Sequence, residues 1–291
     1  YSTLEPCSHY GKTPPCINLI SQKKIESVFF SIKDPDVRSF NKCHSKLKGK
    51  EISVKNGYLS KNINLFYSSY KNFKTNKLPF VTAKLAISKD YFTINKKKKW
   101  ITNIFSRGRV HLMRSQHDCI ITSCKTIKKD DPKLNCRING LIKRSPSRII
   151  LDRKLEIPTN SQVIKDASLY KTIIFYNSIN EKKIKILKKL NVSTYRIPLN
   201  SENKLDLNLS LKKAQLMGFS RIFLESGLEL TVSFFNKNLI SDFKLFISNE
   251  KLNNKGLNNA KKKLSIFLKN KKKKTEKINL LGDKLISYNL K

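Results

Sequence analysis

Cys7 and Cys16 stand nine positions apart in the run Thr3-Leu4-Glu5-Pro6-Cys7-Ser8-His9-Tyr10-Gly11-Lys12-Thr13-Pro14-Pro15-Cys16. Two thiolates at that spacing can meet on one metal if the loop between them turns back. Gly11 and Pro14-Pro15 supply the turning and the stiffness. Thiolates suit zinc, and a catalytic zinc takes three protein ligands plus water. Far along the chain, Glu225 ends the apolar run Arg221-Ile222-Phe223-Leu224 just before Ser226-Gly227. A carboxylate at the carboxyl end of a strand is well placed to contact a ligand, and Gly227 opens a helix whose free N–H groups suit phosphate oxygens. Arg114 and Arg137 are fork-shaped donors that match a phosphate. Trp100 offers a flat apolar face, and Ala86 is small enough at a strand end to let a ligand approach the backbone. Each has a plainer reading: loop thiols, a strand-end glutamate on the surface, solvated arginines, a core tryptophan.

The elements that position these residues follow from hydrophobic patterning. Up to about residue 66, Ile17–Lys24 reads as a helix, Ser27–Ile32 as a buried strand and Glu51–Val54 as another strand. Phe66–Lys77 is polar and aromatic and reads as a linker. From Pro79 strands and helices alternate. Strands are expected at Phe80–Ile87, Cys119–Ser123, Ser147–Leu151, Thr172–Tyr176, Val192–Ile197, Arg221–Glu225 and Asp242–Ser248. Helices are expected at Ser106–Ser115, Asn180–Leu190, Leu207–Met217 and from Ser226-Gly227 to Asn236. Thr102 is expected to cap the first of these helices. Such alternation indicates an α/β sheet covered on both faces.

Composition narrows the field. The formal net charge of the 291 residues is +39, which attracts polyanions. Yet lysine is spread along almost every segment, and runs such as Lys96–Lys99 and Lys271–Lys274 lack interleaved aromatics, so nucleic acid is not the expected partner. The field still favours anionic, phosphorylated substrates. Without a basic leader or apolar segment at the N-terminus, a cytoplasmic protein is expected, with no membrane partner and no disulfide framework among its six cysteines. Cys119, Cys124 and Cys136 read as buried free thiols. No G-x-G-x-x-G follows a strand, so a Rossmann dinucleotide site is unsupported.

The segment Thr3–Cys16 resembles the zinc motif of the riboflavin-pathway deaminase of the cytidine-deaminase-like superfamily, in which extra residues separate the two cysteines. By that resemblance Cys7 and Cys16 are zinc ligands, with His9 and Lys12 beside the substrate. The family's third ligand and its catalytic glutamate lie in an upstream His-x-Glu. None of the four histidines here is followed two residues later by Glu; the chain is expected to start after the motif and not to deaminate.

From Leu78 onward the chain resembles the reductase domain of the bifunctional riboflavin-biosynthesis deaminase/reductase. The matching pieces are Leu85–Asp90, Trp100-Ile101-Thr102, Arg114–Asp118, Thr126–Leu134, Arg137, Leu151-Asp152 and Leu224–Gly227. The resemblance implies an α/β chain with a partial cytidine-deaminase-like domain over residues 1–70 and a dihydrofolate-reductase-like, NADPH-dependent reductase domain over residues 75–291. It further implies reduction of 5-amino-6-(5-phosphoribosylamino)uracil to the ribitylamino product, and a homo-oligomer. Lys98, Arg114, Leu134, Arg137 and Glu225 fall where the family holds substrate. Ala86, Trp100, Thr126, Asp130, Gly227, Leu228 and Thr231 fall along NADPH, and Arg153, where a serine is common, is placed to grip the 2′-phosphate. Lys96-Lys97-Lys98 replaces the family's Gly-Glu-Ser-like turn, Tyr91-Phe92 its Gly-Arg, and Ser226 and Leu228 flank the one surviving glycine of its Gly-Gly-Pro turn. No residue stands out as the proton donor. A catalytically inactive scaffold of the same family and a dihydrofolate-type reductase are the alternatives.

Overall fold

The protein is described here by a computed structural model covering residues 1–23, 25–75 and 78–290, which divide into two compact units, Tyr1–Leu78 and Pro79–Lys291. In the first, β1 (Ser2–Leu4), α1 (Cys16–Gln22), β2 (Ser27–Ile32), α2 (Cys43–Lys48) and β3 (Ser53–Asn56) precede the helices α3 (Ser60–Phe66) and α4 (Ser68–Thr75). The strands pair in parallel in the order β1-β2-β3. Val28 and Phe30 from β2 pack with Ile17 of α1, Cys43 and Leu47 of α2, and Ile52. The Glu5 carboxylate is buried, but it accepts hydrogen bonds from the backbone N–H groups of Asp34, Asn41 and Cys43 at 3.2, 2.9 and 2.9 Å. A buried charge is tolerable when its lone pairs are filled in this way.

Three expectations shift here. The first helix starts at Cys16 and ends at Gln22, and the expected end at Lys24 lies outside the described residues. The third strand runs two residues later than Glu51–Val54. The expected linker Phe66–Lys77 is helical over Ser68–Thr75, with Lys77 outside the described residues. Polar contacts rather than an apolar stripe hold that helix. Tyr70 Oη donates to Asp34 at 3.1 Å, Lys74 pairs with Asp36 at 2.9 Å, and Asn72 Nδ2 donates to the Leu78 carbonyl at 3.0 Å.

The second unit begins with β4 (Phe80–Ile87), β5 (Phe92–Asn95), α5 (Ile104–Ser115), β6 (Cys119–Ser123), α6 (Cys124–Asp130), β7 (Ser147–Leu151) and α7 (Gln162–Lys165). It continues through β8 (Thr172–Tyr176), α8 (Glu181–Lys189), β9 (Val192–Arg196), α9 (Leu207–Leu216), β10 (Arg221–Glu225), α10 (Leu228–Asn236) and β11 (Asp242–Ile247). It closes with β12 (Gly256–Asn259), α11 (Lys261–Leu268), β13 (Lys273–Thr275) and β14 (Lys284–Asn289). Nine strands form one sheet in the order β13-β14-β11-β4-β10-β6-β7-β8-β9, parallel from β11 to β9 and antiparallel at β14 and β13. Strands β6, β7, β8 and β10 bury three or more consecutive residues, as strands covered on both faces must. β5 and β12 pair apart from it.

The cap of α5 is Asn103 rather than Thr102. Its Oδ1 accepts the Ser106 N–H at 3.0 Å while its own N–H donates to Asp283 at 2.9 Å. That second contact, with a residue 180 positions away, decides which of two capping-competent neighbours is used. Cys119, Cys124 and Cys136 are buried free thiols as expected, and burial pushes the Cys124 thiol up to about 12. Among the described residues no helix is long and apolar enough to cross a membrane.

His117, in the turn between α5 and β6, lies against Phe223 at 5.0 Å, and its Nδ1 is 2.6 Å from the Met113 carbonyl. Nε2 is buried and has no hydrogen-bond partner. Burial holds this imidazole at about 4, below its ordinary 6.5. The unfolded chain therefore takes up a proton in that window while the folded one does not, and stability falls with pH. We expect a loss of about 2 kcal/mol from this group between about pH 7 and about pH 5. His117→Phe should flatten the urea-midpoint profile over that range; a variant with the wild-type slope would contradict this.

Candidate active site

β4 and β10 are parallel neighbours in a register that sets Lys84 directly beside Glu225, so both side chains leave the same face of the sheet. Helix α5 brings Arg114 onto them. Its Nε donates to Glu225 Oε2 at 2.9 Å and its Nη2 to Oε1 at 2.7 Å, a bidentate fork, while Nη1 donates to the Asn135 carbonyl at 2.9 Å. Burial pushes the Glu225 carboxyl up, but the charge and hydrogen bonds of Arg114, with Lys84 adding to them, bring it down to about 2. Burial also lowers the Lys84 ammonium; Glu225 opposes that shift and Arg114 adds to it.

The loop after α6 completes the cluster. Leu134 is buried with a left-handed backbone, φ 51°. Asn135 Oδ1 accepts from Arg137 Nη1 at 3.0 Å, and the Arg137 N–H donates to His111 Nδ1 at 3.2 Å. Burial, with Arg114 and Arg137 nearby, holds His111 at about 4, so at neutral pH it is an uncharged acceptor. Arg114, Leu134, Arg137 and Glu225 are thus gathered in one place. The guanidinium of Arg114, expected to be open to a phosphate, is taken up by Glu225 and Asn135. Arg137 is the more exposed of the two arginines. Neither Lys84 nor His111 was singled out by sequence pattern. A lone lysine inside the apolar strand Val81-Thr82-Ala83-Lys84-Leu85-Ala86-Ile87 is the signal that points to Lys84, because an unpaired buried lysine is rare.

A second feature of this unit is a cleft of about 320 Å³ lined by Ser123, Leu151, Arg153, Asp206, Leu230 and Ser233, among others. Arg153 donates to the Asn203 carbonyl at 2.8 Å. Thr126 lies one turn into α6, its hydroxyl 3.1 Å from Ser123 Oγ. Leu230 and Ser233 belong to α10, whose N-cap is Gly227; no side chain caps that end, and the space where a Cβ on Gly227 would sit is open. Those first-turn N–H groups suit an anion. Leu228 and Thr231 are buried, and the Thr231 hydroxyl donates back to the Gly227 carbonyl at 3.1 Å; their side chains belong to the helix packing. Ala86 packs partly buried against the core beside Phe246 of β11.

Three other expected residues lie at the surface, away from both features. Asp130 ends α6 exposed to solvent. Lys98 makes a surface pair with Glu250 at 3.8 Å. Trp100 is 54% exposed, which rules out the core reading, and it carries Lys99 and Arg107 at 5.5 and 5.2 Å from its ring centroid.

In the first unit the Cys16 N–H donates to Cys7 Sγ at 3.2 Å, so the two cysteines do meet. Hydrogen bonding to the Cys7 side chain raises the Cys16 thiol. His9 Nδ1 lies 2.9 Å from Ser39 Oγ. Among the described residues no group of three His, Cys, Asp or Glu side chains can hold a metal. Cys7 and Cys16 supply two of the three protein ligands that a catalytic zinc takes.

Residues 79–252, more than half of the chain, match the family described as the RibD C-terminal domain. The riboflavin biosynthesis protein RibD of Bacillus amyloliquefaciens is 38% identical over 170 residues, 58% of this chain and 46% of that protein. Its counterpart in Actinobacillus pleuropneumoniae is 30% identical over 251 residues, 85% of this chain and 66% of that protein. The chain thus spans less than two thirds of the length of either relative. A Thermotoga maritima diaminohydroxyphosphoribosylaminopyrimidine deaminase/5-amino-6-(5-phosphoribosylamino)uracil reductase has a similar structure, with TM-score 0.80, 26% identity, and coverage of 99% of this chain and 78% of that one.

Proposed function

The chain belongs to the RibD family of riboflavin biosynthesis, with a dihydrofolate-reductase-like α/β unit, and from that premise we propose that this unit reduces 5-amino-6-(5-phosphoribosylamino)uracil to its ribitylamino product with NADPH. The observation that carries the reading is the Lys84–Glu225–Arg114 cluster, two opposite charges on adjacent strands locked by a buried arginine. When bound, the nicotinamide cofactor supplies the hydride that the sugar C1′ accepts. As C1′ gains the hydride its bond to the ring oxygen breaks, so the chain must give that leaving oxygen a proton, making the open-chain hydroxyl, and hold the sugar still. Glu225, held near 2, is a carboxylate at neutral pH and cannot be the acid; it is an acceptor for a ribosyl hydroxyl. Lys84, its ammonium lowered by burial, is the group that can release a proton. Arg137, less buried than Arg114, faces the substrate phosphate in this reading.

The cleft at Arg153 and the uncapped end of α10 fit the adenosine 2′-phosphate and the pyrophosphate of NADPH: a guanidinium and a row of free N–H groups are donors for anionic oxygen. No hydrolytic step is assigned to the first unit, whose described residues hold two cysteines of a zinc set. Fluorescence titration with NADPH and with NADH tests the cofactor half of the reading. Arg153→Ser should weaken NADPH binding on the order of tenfold and leave NADH binding unchanged, the loss of one charge-assisted contact. Equal weakening of both cofactors, or of neither, would remove Arg153 from the 2′-phosphate.

A further inference from the structure

Arg148 is the largest fully buried side chain among the described residues. It is the second residue of β7 and belongs to neither the cluster nor the cleft. Its Nε donates to Thr172 Oγ1 at 3.1 Å, and its Nη2 to Thr172 Oγ1 and the carbonyls of Val163 and Tyr170 at 2.6, 3.1 and 3.0 Å. Nη1 donates to the Lys133 carbonyl at 3.0 Å and lies 2.6 Å from Asp166 Oδ1. The Tyr170 ring stands 5.3 Å from the guanidinium carbon. An ion pair of this kind gives less stability than well-packed apolar side chains of equal volume, so its worth lies in what it fixes.

What it fixes is the loop 133–137. Leu134 holds a left-handed backbone, which costs an L-residue energy unless its surroundings impose it. The carbonyls on either side of it in the chain are each held by a buried arginine, Lys133 by Arg148 and Asn135 by Arg114. Asn135 Nδ2 also reaches Tyr170 Oη at 3.4 Å, so the segment that cages Arg148 touches the loop a second time. Two guanidinium groups thereby clamp the same turn, one from the active-site cluster and one from the core behind it.

We propose that Arg148 is a positioning residue: through the Lys133 carbonyl and Tyr170 it sets the loop that carries Leu134 and Arg137, and so sets substrate affinity without touching substrate. The link to affinity rests on the reductase reading; the link to the loop does not. The test compares the whole chain with Arg148→Lys, which keeps the charge but loses the fork, and with Tyr170→Phe, which keeps the ring and loses only the hydroxyl. Arg148→Lys should raise the KM for the aminouracil phosphate on the order of tenfold, with kcat and NADPH affinity near wild type. Tyr170→Phe should shift KM the same way by less. Hydrogen exchange at residues 134–137 should quicken in Arg148→Lys while strands β6 and β10 stay protected. Unchanged loop exchange would overturn the proposal, and so would a loss of activity that tracks the loss of folded protein at constant KM. If wild type fails to turn the substrate over, the reductase reading falls, and loop exchange still decides the role of Arg148.

Discussion

Lys84→Met is expected to lower kcat for the reduction by roughly 10²- to 10⁴-fold, the range for loss of a positioned general acid, with the fold and the NADPH affinity retained. Methionine fills the volume of the lysine stem, and Glu225 keeps its bidentate partner, Arg114. No buried charge is therefore left alone. The pH profile separates this role from simple packing. An ammonium acid works only while protonated, so wild-type kcat should fall as pH rises through a value below lysine's ordinary 10.5, because burial lowers it. The residual activity of Lys84→Met should lack that limb. Wild-type turnover in the variant, or an unchanged alkaline limb, would take Lys84 out of the chemistry.

Arg114→Ala is expected to cost both stability and activity. Removing one partner of a buried ion pair strands the other, at about 3–5 kcal/mol, and here the stranded group is a carboxylate held near 2 by that arginine. The carbonyl of Asn135 also loses its donor. The double variant Arg114→Met with Glu225→Gln should recover much of the lost stability, since no carboxylate is then stranded and Lys84, its ammonium already lowered by burial, can shed its proton, yet remain inactive. Urea unfolding of the single and double variants reads this coupling directly. An arginine that instead gripped phosphate would give a raised KM with no loss of stability, and the double variant would be no more stable than Arg114→Ala.

The parallel core of the larger unit was legible because its strands are short apolar runs rich in isoleucine and phenylalanine. Cys119–Ser123, Ser147–Leu151 and Thr172–Tyr176 stand where the patterning puts them. Of the strands that escaped, Gly256–Asn259 and Lys273–Thr275 are polar, and Ser2–Leu4, Phe92–Asn95 and Lys284–Asn289 mix polar with apolar residues. Their pairing is fixed by the chain they meet and not by their own residues. α4 escaped for a related reason, since its hold on Asp34 and Asp36 is long-range and polar.

At the site, residue types were legible and their pairing was not. Arg114 and Glu225 are 111 positions apart, and nothing local shows that a turn of α5 lies over the end of β10. Hence Arg114 was expected to face a phosphate when it in fact holds a carboxylate. Lys84 was hidden among apolar neighbours, although one charge in such a strand is itself informative.

The most direct test of the central claim is NADPH oxidation with 5-amino-6-(5-phosphoribosylamino)uracil, using NADPH deuterated at the transferable position and locating the label in the product. Stoichiometric oxidation and deuterium on C1′ of a ribitylamino product are expected, both roughly 10²- to 10⁴-fold slower to appear in Lys84→Met. A folded, NADPH-binding protein that leaves this substrate unreduced would contradict the claim.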